Sequence, residues 1–490
     1  MEQIKKSIYE IIKENLVNGT LPKTFSLPSD QSEHELRFAD GARDGIAIYH
    51  MMGHSEVSAE SMSKLETLLH NVSDGNFALG LEILCKFAKE NSALNTINEL
   101  EGFIYDNTDW IHPNHLHQFA VDCMMGNDRE LIKFGMEMIE VFTEPDEKIK
   151  EIIRTLGLSN EFTIFAIFNM QHWSNANSEI FHLAKNVHGW GRIHAVKYLE
   201  PTSKEIKDWL LKEGIKNDVM DSYSALEVYK KANIRELLNR ELTDEEFHFI
   251  TSIISALLSE GPIQGISAIE DVDVMLLDFL NQAKQHKLHL DLCDTIYHIL
   301  SNEYSDLVST LCKKILHSDE TEKVIIDSLH KGQGVDLAKY LNMDYTEPLY
   351  QHMIENFENG WHNCRYLLKN SDYREKVLNL FKTKLPMDEM VSDPKDNSGL
   401  GKEYENYTKL LCVIQELKPY PLCGIDFVML GLKSPVINNR NMALQVLNSW
   451  CKIKECSLKE LSDELYHCVS ALKDKEVSES VQKRIAEYGF

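Results

Sequence analysis

Apolar residues recur along this chain at helical rather than strand spacing. At the start, Ile4, Ile8, Ile11, Ile12 and Leu16 share one face, with Glu and Lys between them, which predicts an amphipathic first helix. Asn18-Gly19 then precedes Leu-Pro, a helix stop followed by an irregular connector over 20–30. Alternating apolar and polar runs are scarce, and no Asn-Gly or Asp-Gly joins two of them. The longest apolar block, FHFITSIISALL (Phe247–Leu258), falls far short of the ~20 residues a membrane span needs. Most of the twelve prolines sit between periodic segments, as expected of many helices joined by short turns.

One pattern recurs: a small residue, an apolar one, two variable positions and another apolar one. It appears at Gly80–Leu84, Gly135–Ile139, Ala195–Leu199 and Ala443–Leu447. The last two carry an arginine three residues earlier, so RIHAVKYL and RNMALQVL share the frame Arg-x-x-Ala-apolar-x-x-Leu. A small residue there lets helices approach closely while its apolar partners fill the seam. The expected fold is all-α, a HEAT-like helical-repeat solenoid or superhelix with few or no strands. Soft breaks at EGPIQGIS (Glu260–Ser267) and MVSDPKDNSGLGKEY (Met390–Tyr404) suggest four segments. These are 1–30 (first helix and connector), 31–260 (N-terminal and central repeats), 261–390 (middle helices) and 391–490 (C-terminal repeats).

Length supports an extended or divided architecture, since 490 residues exceed what one core usually organises. A net charge of −26 with no basic stripe disfavours nucleic acid and membrane surfaces as partners. The N-terminus lacks the apolar core of a signal peptide, so a cytoplasmic location is expected. Ten cysteines without any CxxC read as reduced thiols, mostly buried.

Several chemistries drop out. There is no Walker loop, no G-x-S-x-G elbow and no HExxH. The Gly-x-Gly stretches at 189–191, 332–334 and 399–401 lack the preceding strand and third glycine of a dinucleotide fingerprint. No cysteine has the Gly- and Arg-rich setting of a haem thiolate. His112, His115 and His117 fall within six residues, and His50 and His54 are four apart, so both are weak metal candidates. Neither set is completed by a carboxylate or cysteine at a known spacing, and chance clustering among twenty histidines accounts for them.

Two stretches stand out as candidate sites. In FADGARDGIAIYHMM, Asp40, Arg43 and Asp44 could face an anion or substrate, with Arg43 as the forked donor. The alternative is a helix start with Asp40 as N-cap and Ile46, Ile48, Tyr49 and Met52 buried. In HGWGRIHAVKYLEP, Trp190 could stack on a flat ligand while Arg192, His194 and His188 bind or move protons. Alternatively the glycines shape an inter-helix corner, Trp190 covers the seam, and Arg192 bonds carbonyls or a carboxylate of the next repeat. Arg440, in the same frame without Trp and His, favours this second reading.

At FADGARDGIAIYHM, NVHGWGRIHAVKYLEP and SEGPIQGI, and over most of its length, the sequence resembles bacterial proteins named limonene hydroxylase. The resemblance implies oxidation of the monoterpene at allylic carbons, to carveol and perillyl alcohol. It also implies onward dehydrogenation to carvone and perillyl aldehyde with a nicotinamide cofactor, NAD(P). That chemistry would place an apolar small molecule between helices, whereas the residues alone point to a non-enzymatic scaffold for a protein or peptide partner. No motif for haem, flavin, metal or nicotinamide accompanies the resemblance, and it identifies no catalytic residue.

Overall fold

A computed structural model describes residues 6–28, 38–50 and 57–489. His54, Met52 and Ile4 lie outside them. The described residues form α-helices joined by turns, a few short 3-10 segments and one isolated bridge between Val17 and Thr20, with no strand. The chain is an all-α helical-repeat protein. None of its described helices is long and apolar enough to cross a membrane.

Local chemistry explains where helices begin. Asp128, Asp146, Ser203 and Ser318 each accept a hydrogen bond from the free amides of the turn that follows, and Thr243 with Glu246 closes a full capping box. These bonds satisfy donors that a helix start otherwise leaves bare.

Two units divide the chain, Met1–Lys287 with His298–Cys312, and Leu288–Tyr297 with Lys313–Phe490. Neither soft break is the dividing point. The 260–267 stretch is a turn wound around Glu260, whose Oε1 accepts from the amides of Gly265 and Ser267 and from the Ser267 hydroxyl. The polar 390–404 stretch is tied to the turn before the Ile437–Lys454 helix, through Ser392 N–H to the Lys433 carbonyl and Lys395 N–H to the Pro435 carbonyl.

In the first unit, helices Ala93–Asp106, Arg129–Glu140, Thr163–Gln171, Gly189–Tyr198, Ser222–Lys231 and Asp244–Leu258 form a row in which each packs on the next. Pro113–Met124, Glu147–Gly157, Ala176–Asn186 and Lys204–Glu213 alternate with them in sequence and pack onto the row. Stacked helical pairs give this next-but-one packing. The small residues of the recurring pattern sit at helix seams, in the row and outside it. A Cβ on Gly135 would lie 2.7 Å from the Ala120 carbonyl oxygen, and one on Gly80 would lie 3.0 Å from Val72. Asn169 stitches neighbouring row members by donating to the Met136 carbonyl at 2.9 Å.

In the second unit the Ile437–Lys454 helix is central, packing on Glu405–Glu416, Ile425–Leu432 and Glu479–Ala486. Trp450 is fully buried there, and its ring N–H donates to the Leu417 carbonyl.

Candidate functional site

The two unusual stretches of sequence meet in the first unit. Asn160 is the ground they share. The backbone at Gly41 passes so close that a Cβ would lie 2.3 Å from the Asn160 carbonyl oxygen, and its φ of +75° already favours glycine. From the other side, Gly191 N–H donates to Asn160 Oδ1 at 3.1 Å, and a Cβ on Gly191 would lie 2.4 Å from Thr163 Oγ1. The short Ala42–His50 helix then runs onto the row, with Gly45 against the face of Trp190.

This docking has an ionic half and an aromatic half. The ionic half centres on Lys133, 1% exposed in the middle of its helix. Its ammonium lies 2.8 Å from Asp44, 2.8 Å from Glu130 and 2.7 Å from Glu161. Arg129, one turn earlier, bonds Asp40 at 2.9 Å and lies 3.5 Å from Glu161, and it also donates to the Leu27 and Pro28 carbonyls. Two cations thus face four carboxylates. Burial works against the Lys133 charge, but Asp44, Glu161 and Glu130 outweigh it and raise its proton affinity. The carboxylates divide. Burial dominates at Asp44 and shifts it upward despite Lys133. Glu161 suffers the same burial but is held low by Lys133, the Gly41 amide and Arg129 together.

The aromatic half comprises Tyr49, His50, Trp190, His194 and Tyr223. The Tyr49 ring centroid lies 6.0 Å from Trp190, 5.7 Å from His194 and 5.5 Å from Tyr223. His50 Nε2 is hydrogen-bonded to the Tyr223 hydroxyl at 2.6 Å. Tyr49 Oη, both His194 ring nitrogens and the Ser222 and Ser224 hydroxyls find no hydrogen-bond partner among the described residues. Burial, helped by Lys197, pushes the His194 imidazole down to about 3, so it stays neutral through the physiological range. Burial likewise raises the Tyr49 phenol. Such groups can orient a ligand by donating or accepting one hydrogen bond. His194 itself offers no protonated imidazole at neutral pH.

Further along the Lys133 helix, Glu137 is fully buried with both oxygens unpartnered among the described residues. Burial, then Glu130, Glu140, Glu101 and Asp44, push its carboxyl well above the usual range. Glu140 is pushed to about 8 by burial and by Glu101.

The sequence candidates therefore separate. Asp40, Asp44, Trp190 and His194 converge. Asp40 does not cap the helix, which starts at Ala42; its carboxylate takes the Leu27 amide and Arg129 instead. Arg43 is exposed, its guanidinium over the Phe38 ring, and is not aimed at the site. Arg192 turns the other way, donating to the Glu213 carbonyl at 3.2 Å and lying over Trp209. His188 is half-buried at the helix start, and burial and Lys23 lower its proton affinity. His112 and His115 stack, but His115 Nδ1 bonds the Ser73 carbonyl and His117 packs on Phe142. No group of three potential metal ligands forms among the described residues.

Lys133, Arg129, Glu161 and Asn160 were not singled out by the sequence. The usable signal was Lys133 and Glu137 flanking Gly135 in a helix whose residues 132–139 are all buried. Charges in a helix buried on every side need partners from elsewhere in the chain.

A concavity of about 610 Å³ opens between the Lys204–Glu213 helix, the short Ile234–Leu237 helix and the start of the Asp244–Leu258 helix. Leu211 and Leu237 give it apolar surface, and Lys204, Lys207, Asp208, Glu236, Arg240 and Glu246 set charges of both signs around it.

Set against protein-family models, curated proteins and solved structures, the chain matches none.

Proposed function

We propose that this protein is a cytoplasmic helical-repeat scaffold that binds a protein or peptide partner. The groove at Leu211 carries the reading. It is open, mixed in charge, and lies where the Lys204–Glu213 helix and the short Ile234–Leu237 helix meet the start of the row member Asp244–Leu258, which suits an extended or helical polypeptide better than a small hydrocarbon. A photoreactive residue placed at Leu211 tests this. The expected result is one discrete protein adduct in cells, lost when Lys207 and Arg240 are reversed to Glu. No adduct, or an adduct indifferent to those charges, refutes it.

A second reading, oxidation of a monoterpene such as limonene with NAD(P), is favoured by one observation. The Tyr49, Trp190 and Tyr223 rings surround polar atoms of Tyr49 and His194 that lack partners among the described residues. Buried polar groups left unpaired are costly and call for a reason. Under this reading limonene quenches Trp190 fluorescence, Trp190→Phe abolishes the quench, and purified protein supplied with NAD(P)H and O2 forms carveol, water and NAD(P)+. A flat fluorescence titration and no product dispose of it.

A further inference from the structure

Ten cysteines are free in this chain, and one pair of them is distinctive. Cys364 begins the short Cys364–Leu367 helix, and Cys412 lies in the Glu405–Glu416 helix, 48 residues further on. Their sulfurs are 3.3 Å apart in a thiol–thiol hydrogen bond. Cys364 is buried, whereas Cys412 is only half-buried.

We propose that Cys364 and Cys412 form an oxidisable dithiol, a site at which a hydroperoxide converts the two thiols into a disulfide tying the two helices together.

Three observations support this. The sulfurs need to close by only about 1.3 Å to reach the ~2.0 Å of a disulfide bond. Two thiolates sharing a tetrahedral metal at ~2.3 Å per bond would stand about 3.8 Å apart, and no third ligand group forms among the described residues. The geometry therefore suits a bond better than a shared ion. The pair is also unequal in the useful direction. The hydrogen bond between the two thiols lowers Cys412, while that bond and burial raise Cys364. By contrast, burial moves Cys85, Cys123, Cys293, Cys312, Cys423, Cys451 and Cys468 upward. The thiol with greater thiolate character is thus the one nearer solvent, where an oxidant arrives.

The chemistry proceeds in two steps. The Cys412 thiolate attacks one oxygen of the hydroperoxide, an S–O bond forms, the O–O bond breaks, and hydroxide or alkoxide leaves. Sulfur loses two electrons and the peroxide gains them. Cys364 sulfur then attacks the Cys412 sulfenic acid, the S–S bond forms, the S–O bond breaks, and water leaves with the Cys364 proton. A small dithiol reverses the bond by exchange.

The test uses the full chain, reduced, desalted and treated with stoichiometric hydrogen peroxide. Two titratable thiols should disappear, and the mass should fall by two hydrogens. Trypsin leaves Cys412 and Cys423 on one peptide, so a glutamate-specific protease that cuts after Glu416 is added. Mapping should then join Cys364 to Cys412, with dithiothreitol reversing the link. Loss of these thiols should be about tenfold faster than the mean of the others, as expected for a pre-activated cysteine. In C364A, dimedone should trap a sulfenic acid on Cys412. A different pairing, intermolecular cross-links, or oxidation spread evenly over the thiols overturns the proposal. The mapping is done on the unaltered chain, so it decides the matter even if C364A fails to fold.

Discussion

The frame Arg-x-x-Ala-apolar-x-x-Leu occurs once in each unit, and its two arginines live differently. Arg440 is fully buried, with all three side-chain nitrogens bonded. Its Nε and Nη2 bond Glu476 at 2.7 and 2.8 Å, Nη1 donates to the Ser434 carbonyl and Nη2 also to the Lys395 carbonyl. Glu476 in turn accepts the Val477 and Ser478 amides. Arg192 makes one bond, to the Glu213 carbonyl, and its Nε has no partner among the described residues. The frame fixes what it encodes locally. Ala195 and Ala443 are both fully buried at helix seams. It does not encode the carboxylate, which reaches Arg440 from 36 residues away. A shared pattern thus gives shared packing and separate electrostatics.

Breaking the fully buried ion pair should have the largest effect. Arg440→Met leaves the Glu476 charge buried without its cation, and should cost about 3–5 kcal/mol in urea unfolding. Adding Glu476→Gln should restore much of that loss. A cost near that of Arg192→Ala would erase the contrast.

The position two residues after the arginine sharpens the comparison. It is His194 in one frame and Met442 in the other. Folded His194 titrates near 3 and an ordinary histidine near 6.5, so between these values the unfolded chain binds the extra proton. Stability is therefore complete above about pH 6.5 and is lost as pH falls toward 3. The slope is at most ~1.4 kcal/mol per pH unit. His194→Met, which copies the second frame, should flatten that slope in unfolding measured from pH 7 to pH 4. An unchanged slope would mean that the ring is not buried neutral.

Gly45→Ala tests the docking that the first frame supports and the second lacks. The new methyl would meet the Trp190 ring at 2.2 Å and should cost ~1–3 kcal/mol, with a shift in Trp190 emission. Arg192→Ala should do least, about 1 kcal/mol by thermal melting, the worth of one hydrogen bond.

The helices were legible because a period of 3.6 is a local property. So were the seams, since a small residue before an apolar pair announces close packing. Within the site, legibility stopped at helix geometry. Arg43 and Asp44 are neighbours in sequence, yet adjacent residues on a helix point about 100° apart. One therefore faces solvent while the other meets Lys133. The His112, His115 and His117 cluster dissolved for a related reason, because residues two apart on a helix do not share a face. Lys133 itself was hidden because its partners, Asp44 and Glu161, lie in distant segments that no spacing rule connects.

That arrangement around Lys133 has a consequence for biosynthesis. Asp44 precedes the lysine by 89 residues, and Glu161 follows it by 28. A nascent chain that has exposed the Arg129–Glu140 helix but not yet Glu161 lacks a closing carboxylate, so this helix cannot lose its water at low cost. The N-terminal unit should therefore acquire its final packing only after the ribosome has released residue 161. The Ala42–His50 segment waits longer still, for Trp190, His194 and Tyr223, and it becomes one of the last pieces of the first-made third of the protein to settle.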